Sequence, residues 1–310
     1  MSRQQDGRPA KVLEILKGYS GDNPGTLCNI SRLLMAGSLG GTGKVVILPV
    51  DQGFEHGPVQ SFAINPPAYD PVYHVELAIK AGLSAYAAPL GMLESVASDY
   101  AGCIPLILKL NSANSLAPNT DPDQATTATC EDALRLGCVG VGFTIYPGSM
   151  YCNEMIEKAA DVIAEAKSVG LFSLIWAYPR GSELPKEAES ALDVVSYAAH
   201  IAALIGAHVI KVKLPSQTIF RKEASKHYHL DALRSLKERI SYVMQSAFNS
   251  KRITLFSGGS AKDLNTLYSE VSAIKEAGGY GSIIGRNVFQ RPEEEALEML
   301  KEVLRLYVDG

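Results

Sequence analysis

The chain has 310 residues, 46% hydrophobic and 20% charged, with 29 Lys and Arg against 33 Asp and Glu, a formal charge of −4. That balance supports a globular protein with a sizeable core, and the absence of a long Lys/Arg block gives no support to a nucleic-acid or anionic-membrane surface. The start, MSRQQDGRPAKV, lacks a secretory apolar stretch, and no run approaches the roughly 18 apolar residues of a membrane span, so a cytoplasmic protein is expected.

Residues 9–38 carry one or two short helical patterns. From residue 44 on, β-branched runs alternate with helical ones. Strands are predicted at 44–51, 84–89, 105–110, 139–146, 171–178, 208–214, 252–257 and 281–285. Helical patterns follow near 72–81, 91–100, 126–136, 150–169, 187–206, 228–248, 261–277 and 291–306. Eight strand–helix units predict an α/β fold, a (β/α)₈ TIM barrel, with a short N-terminal helical extension over 1–43 able to plug its bottom. Length alone suggests about two domains, but no linker or composition shift divides the alternation, so 44–310 reads as a single barrel. The long irregular stretches 52–71, 111–125 and 215–227 follow strands one, three and six and fall on the face where barrels of this type place their chemistry.

Several motifs reduce to ordinary structure. Gly40-Gly41-Thr42-Gly43-Lys44 resembles a P-loop, yet Ser38 and Val45 stand where Gly and Ser or Thr are needed, and it leads into a strand; it reads as a turn. His227 and His229 lack a third ligand at metal spacing and read as a solvated helix start. The five cysteines, Cys28, Cys103, Cys130, Cys138 and Cys152, include no C-x-x-C pair and read as free thiols. No metal or cofactor is expected.

The informative residues are polar ones at the ends of apolar strands. On strand six, alternation puts Val209, Lys211 and Lys213 on one face and the apolar Ile210, Val212 and Leu214 on the other, which turns the lysines into the barrel. Desolvation lowers a lysine from about 10.4 toward neutrality and makes it a nucleophile; the bland alternative is a lysine that leaves at the rim to pair with a carboxylate. On strand five, Phe172, Leu174, Trp176 and Tyr178 share a face, so a phenol able to move protons and an indole able to exclude water stand beside the lysines, unless they are simple filling. Asp51 closes the first strand, where a carboxylate can orient a substrate or merely cap a turn. Lys109 can add a cation at the mouth, and Gly140, Gly142, Thr144 and Tyr146 leave room inside. Ser257-Gly258-Gly259 after strand seven and Gly285-Arg286 after strand eight fit a phosphate site.

Taken together, D-Q-G-F-E-H-G-P, W-A-Y-P-R-G, V-I-K-V-K, F-S-G-G and G-R-N-V-F-Q-R-P, in this order over about 44 to 292, resemble the archaeal-type class I fructose-bisphosphate aldolases, a DhnA-like family found also in bacteria. The resemblance implies a metal-independent lyase of glycolysis and gluconeogenesis that cleaves fructose 1,6-bisphosphate reversibly to dihydroxyacetone phosphate and glyceraldehyde 3-phosphate through a lysine Schiff base. It implies Lys211 as the Schiff-base residue, Tyr178 as acid/base and Asp51 as an assistant in carbinolamine formation and cleavage. Trp176 would line the site; Ser257, Gly258, Gly259, Gly285 and Arg286 would hold one phosphate, with His56 and Arg180 at the other end and Lys109 and Lys213 nearby. It also implies a homo-oligomer, an octamer or decamer. Two departures stand out: Asp51-Gln52-Gly53 replaces the common Asp-His-Gly, and Leu-Pro-Ser-Gln follows Lys213 where many members have Tyr-Thr-Gly-Asp. Related Schiff-base enzymes acting on other phosphorylated ketoses, aminodideoxyheptulosonate synthases and autoinducer-processing enzymes among them, share the lysine. Outside that chemistry, the residues leave room for a zinc-dependent aldolase and for a non-catalytic phosphometabolite-binding barrel.

Overall fold

Short apolar runs pair edge to edge until the sheet closes on itself. The computed structural model describes residues 7–116, 121–228, 233–258 and 263–309. Its barrel strands are β1 Val45–Pro49, β2 Ala85–Pro89, β3 Leu106–Lys109, β4 Gly140–Ile145, β5 Phe172–Ala177, β6 Val209–Val212, β7 Ile253–Ser257 and β8 Gly281–Ile283. Each pairs in parallel with the next, and β8 closes on β1 with Val46 opposite Ser282. Every strand lies within the run expected for it.

Period-two alternation splits the strand side chains into two layers. Ile47, Ala87, Ile107, Leu174, Trp176, Val209, Leu255 and Ile283 fill the barrel, whereas Val46, Leu48, Tyr86, Leu108, Ile175, Ile210 and Phe256 meet the helices. The helical layer runs through Pro71–Lys80, Leu90–Glu94, Cys130–Arg135, Cys152–Ser168, Leu192–Leu204, Leu236–Ser246, Leu264–Glu276 and Glu293–Val308.

Three of the helices that fall short of their patterns do so for plain local reasons. The one expected over 91–100 stops at Glu94 and gives way to turns through Cys103, with Gly102 at φ 78°. The one expected from 126 starts at Cys130, because Thr129 and Asp132 form a capping box and Ala125–Thr126 instead pairs antiparallel with Asn111–Ser112. The one expected from 228 starts at Leu236 behind a Ser235–Glu238 capping box, and 229–232, with His229, lies outside the described residues. Gly41 and Gly43, at φ 86° and 78°, turn the chain into β1, as expected of a turn rather than a phosphate loop.

The helices Ala10–Leu16 and Pro24–Met35 close the N-terminal end of the barrel. Their Val12, Ile15, Leu16, Ile30, Leu33 and Leu34 pack into the same cluster as the strand interiors. Tyr19 ties this plug to the strands: its hydroxyl donates to the His208 carbonyl at 2.6 Å and accepts from the Ile253 N–H at 2.8 Å. Nearby, Asp22 lies 3.3 Å from both Lys167 Nζ and His208 Nε2. No described helix is long and apolar enough to cross a membrane, and all five cysteines are free.

The glycines of β4 do not leave empty space inside. A Cβ on Gly140 would stand 2.6 Å from the Phe172 ring, and one on Gly142 would stand 2.3 Å from the Trp176 ring. The missing side chains of β4 are therefore the room that the aromatic residues of β5 occupy. Gly142→Ala is expected to lower stability by about 1–3 kcal/mol through this overlap. Because Trp176 is the only tryptophan, its emission spectrum should shift in the same variant; an unchanged spectrum and melting temperature would refute the packing argument.

Candidate active site

Ends of the strands, not their middles, carry the polar residues. Pro49, Lys109, Thr144, Trp176, Lys211, Ser257 and Ile283, at or one residue before the C-terminal ends of their strands, line a cavity that is open to solvent at its mouth. Residues just beyond the strands complete it, with Asp51, Glu55, His56, Tyr146, Tyr178, Arg180, Gly285 and Arg286. On β6, Lys211 pairs across the sheet with Trp176 of β5 and Leu255 of β7, so its side chain must project into the barrel. It is 4% exposed, with Nζ 5.1 Å from the Trp176 ring centroid and 5.3 Å from that of Tyr178. Lys109, at the end of β3, is 2% exposed and approaches the same indole at 5.4 Å. Its Nζ donates to the Asn111 carbonyl and, at 2.7 Å, to Asn111 Oδ1.

Burial sets the protonation states. It pushes Lys211 down to about 8, with Asp51 and Glu55 opposing the change and Arg286 and Arg180 adding to it. Lys109 is likewise pushed down to about 8 by burial, against Asp51 and Glu55 and with help from Lys211. Burial raises the Tyr178 phenol and outweighs its hydrogen bond with Ser257, so it is a proton donor at neutral pH. At the mouth, burial would raise the Glu55 carboxyl, but the Arg180 guanidinium at 2.6 Å prevails and holds it below its ordinary value. That guanidinium also lies over the Tyr146 and Tyr178 rings, at 5.2 and 5.9 Å.

Most of the expected site residues converge here. Asp51 precedes the Gln52–His56 helix without capping it by its side chain and instead lines the cavity, as does His56, 3.9 Å from Glu55. Lys213 stays at the edge of the site: it lies one residue past the end of β6, pairs with Glu189 at the rim, and comes within 6.0 Å of the Tyr178 ring centroid without lining the cavity. Alternation holds a side chain inward only as far as the ladder runs. Ser257, Gly285 and Arg286 face the cavity. The Gly258 N–H is already donated to the Ile283 carbonyl at 3.2 Å, which removes it as an anion donor, and Gly259 lies outside the described residues. Gly285 has a packing reason of its own: a Cβ there would stand 2.8 Å from the Pro49 carbonyl.

Glu55, Asn111, Gln124 and Tyr146 belong to the site, and the sequence does not single them out as site residues. Glu55 carries a usable signal, four residues after Asp51 and one helical turn away. Gln124 hydrogen-bonds the Tyr146 hydroxyl at 2.6 Å across a long loop and carries none. Among the described residues, no three His, Cys, Asp or Glu side chains converge as a metal-ligand set. The Trp176 Nε1–H is buried without a protein acceptor among them, which leaves a donor at the cavity wall.

The amine carries a testable stability penalty. An unfolded lysine titrates near 10.4, so between about 8 and 10.4 the unfolded chain holds the proton and the folded one does not, and stability rises with pH across that window. Below it the penalty is complete, roughly 3 kcal/mol for a displacement of this size. Lys211→Met should therefore be the more stable protein at pH 7 and lose that advantage toward pH 10 in urea titrations; a destabilised variant at pH 7 would contradict the assignment of Lys211 as a desolvated amine.

Comparisons with known proteins bear on this geometry. Residues 45–291 match the DeoC/LacD family aldolase. The chain is 36% identical over 306 residues to the probable fructose-bisphosphate aldolase class 1 of Chlamydia muridarum, covering 93% of this chain and 86% of that protein. It is 34% identical over 269 residues to the fructose-bisphosphate aldolase class 1 of Thermoproteus tenax, covering 86% and 91%. Among solved structures, an archaeal fructose-1,6-bisphosphate aldolase with its catalytic Lys bound to the carbinolamine intermediate superposes with a TM-score of 0.75 at 32% identity, over 89% of this chain and 98% of that one. A closed parallel barrel with a buried lysine at its mouth and a family match over most of the chain lead to one conclusion: the chain belongs to the DeoC/LacD aldolase family.

Proposed function

We propose that the protein is a class I fructose-bisphosphate aldolase in which Lys211 forms the Schiff base. The observation that carries this reading is the Lys211 amine, buried against Trp176 and Tyr178 and lowered to about 8 by burial. A usable fraction of it is uncharged at neutral pH.

The amine attacks the C2 carbonyl of the open-chain ketose to give a carbinolamine, which loses water to become an iminium. The C3–C4 bond then breaks, its electron pair flowing to the iminium nitrogen, while the C4 hydroxyl gives up its proton and the aldehyde leaves. Protonation of the resulting enamine at C3 and hydrolysis of the iminium release dihydroxyacetone phosphate and regenerate the amine. Tyr178, neutral and held by Ser257, moves the proton at the reacting centre, and Asp51 assists carbinolamine formation and cleavage. Arg286 and Ser257 hold the phosphate next to the ketone; Arg180 and His56 face the other end. Phosphate binding far from the scissile bond positions the carbonyl against the amine. The same reading makes the enzyme a cytoplasmic homo-oligomer, an octamer or decamer, serving glycolysis and gluconeogenesis; exposed Val59 and Ile64 on the loop after β1 are consistent with self-association.

Incubation with dihydroxyacetone phosphate and borohydride should leave a stable adduct on the Lys211 peptide, and Lys211→Met should carry none; a native protein without an adduct would exclude the reading. Tyr178→Phe should still form the imine while turnover falls by about 10²–10⁴-fold, the range of a lost acid/base group. Activity should survive exhaustive chelation and be greatest on fructose 1,6-bisphosphate; negligible cleavage of that substrate beside another phosphorylated ketose would reassign the substrate.

A further inference from the structure

The cavity holds two lysines that burial treats alike. Both are almost fully enclosed, both lie against the Trp176 ring, and the carboxylates of Asp51 and Glu55 act on each. Among the described residues lining the cavity, Arg180 and Arg286, the phenols of Tyr146 and Tyr178 and the His56 ring are the other titratable groups around them. What distinguishes the two amines is hydrogen bonding. Among the described residues, no hydrogen bond reaches Lys211 Nζ, whereas Lys109 Nζ donates twice to Asn111, to its backbone carbonyl and to Oδ1.

The orientation of the Asn111 amide is fixed by a second element. Its Nδ2 donates to the Thr144 carbonyl at 2.9 Å, and its Oδ1 accepts from the Thr144 N–H at 2.7 Å, so the side chain docks on β4 as a strand neighbour would. A flipped amide would set donor against donor and acceptor against acceptor. The oxygen is thus locked toward Lys109, and Asn111 is fully buried. Two carbonyl-type acceptors favour the ammonium over the free amine, because a charge-assisted hydrogen bond is the stronger one. They also oppose condensation: the protonated iminium keeps a single N–H, so Lys109 would have to abandon at least one of its two contacts.

We propose that Asn111 is a positioning residue that tethers the Lys109 amine in two hydrogen bonds and favours its ammonium form relative to that of Lys211, handicapping it in competition for the substrate carbonyl and leaving Lys211 as the amine that condenses. This rests on the Schiff-base reading above. It gives Lys109 a distinct task, that of a hydrogen-bonded cationic donor at the wall of the site.

Cyanate is small enough to enter the cavity and, among lysines, carbamoylates only the unprotonated amine. Treating the full-length native protein from about pH 6 to 10 and quantifying each modified lysine by peptide mass should show Lys211 reacting at least about tenfold faster than Lys109 near pH 8, the margin of one charge-assisted hydrogen bond. Equal rates and equal midpoints in the native protein would overturn the proposal without any variant being made. In Asn111→Ala, with folding checked by thermal melting, Lys109 should become reactive and part of the borohydride-trapped dihydroxyacetone phosphate should move to its peptide; a folded variant with Lys109 still inert would also overturn it. Lys109→Arg should preserve the Lys211 midpoint and Lys109→Met should raise it, and identical midpoints in the two would deny the cationic donor. The Schiff-base reading is judged separately, since a native protein that forms no adduct on Lys211 fails that reading whatever the carbamoylation contrast.

Discussion

The structure depends on keeping one primary amine out of water without giving it a counter-ion in direct contact. A carboxylate in direct contact supports a lysine's charged form, as Glu189 does for Lys213 at the rim, opposing the effect of burial there. Lys211 instead meets an indole and a phenol, which enclose it while satisfying little of its charge. Its neighbouring carboxylates, Asp51 and Glu55, moderate the displacement, and Glu55 is itself partly neutralised by Arg180. The result is a site whose charges are arranged in rank: an enclosed amine, a belt of aromatic rings, and an ion pair at the mouth.

That arrangement draws on the whole barrel. Trp176 can reach the amine only because Gly142 lacks a side chain, and Gly140 makes the same allowance for Phe172 one layer below. The lower end is sealed by Val12, Ile15, Ile30 and Leu33, so the interior beneath the site is dry packing. Residues with no chemistry of their own therefore set the dielectric in which the chemistry occurs. The destabilisation attached to a buried ammonium is tolerable because the surrounding layers are so completely filled.

Much of this is legible in the sequence, and the limits have physical causes. The eight strands can be read because alternation and β-branched content are local properties, and Lys211 and Trp176 follow from the face they share with apolar neighbours. The same rule turns Lys213 inward and there it fails, since the rule ends where the ladder ends. The glycines of β4 suggest a void, but what fills it comes from the neighbouring strand, and cross-strand complementarity has no signature within one run. Asn111 and Gln124 act through partners more than 20 residues away, and Gly258 is occupied by a backbone acceptor on β8. Such relations arise only when the cylinder closes. Helix lengths depart from the pattern where a Thr–Asp or Ser–Glu capping box starts the helix later than its apolar periodicity.

The Tyr19 hydroxyl, shared between β6 and β7 at the closed end, has an implication for traffic. With the floor stitched to the staves, the described residues leave the cavity open at the opposite end, where the strands finish. The half of a substrate joined to Lys211 is held by its bond to the enclosed amine, while the other half is free to leave once the carbon chain is cut. Departure then has an order set by the covalent tether, and in the reverse direction the tethered half has to be seated first.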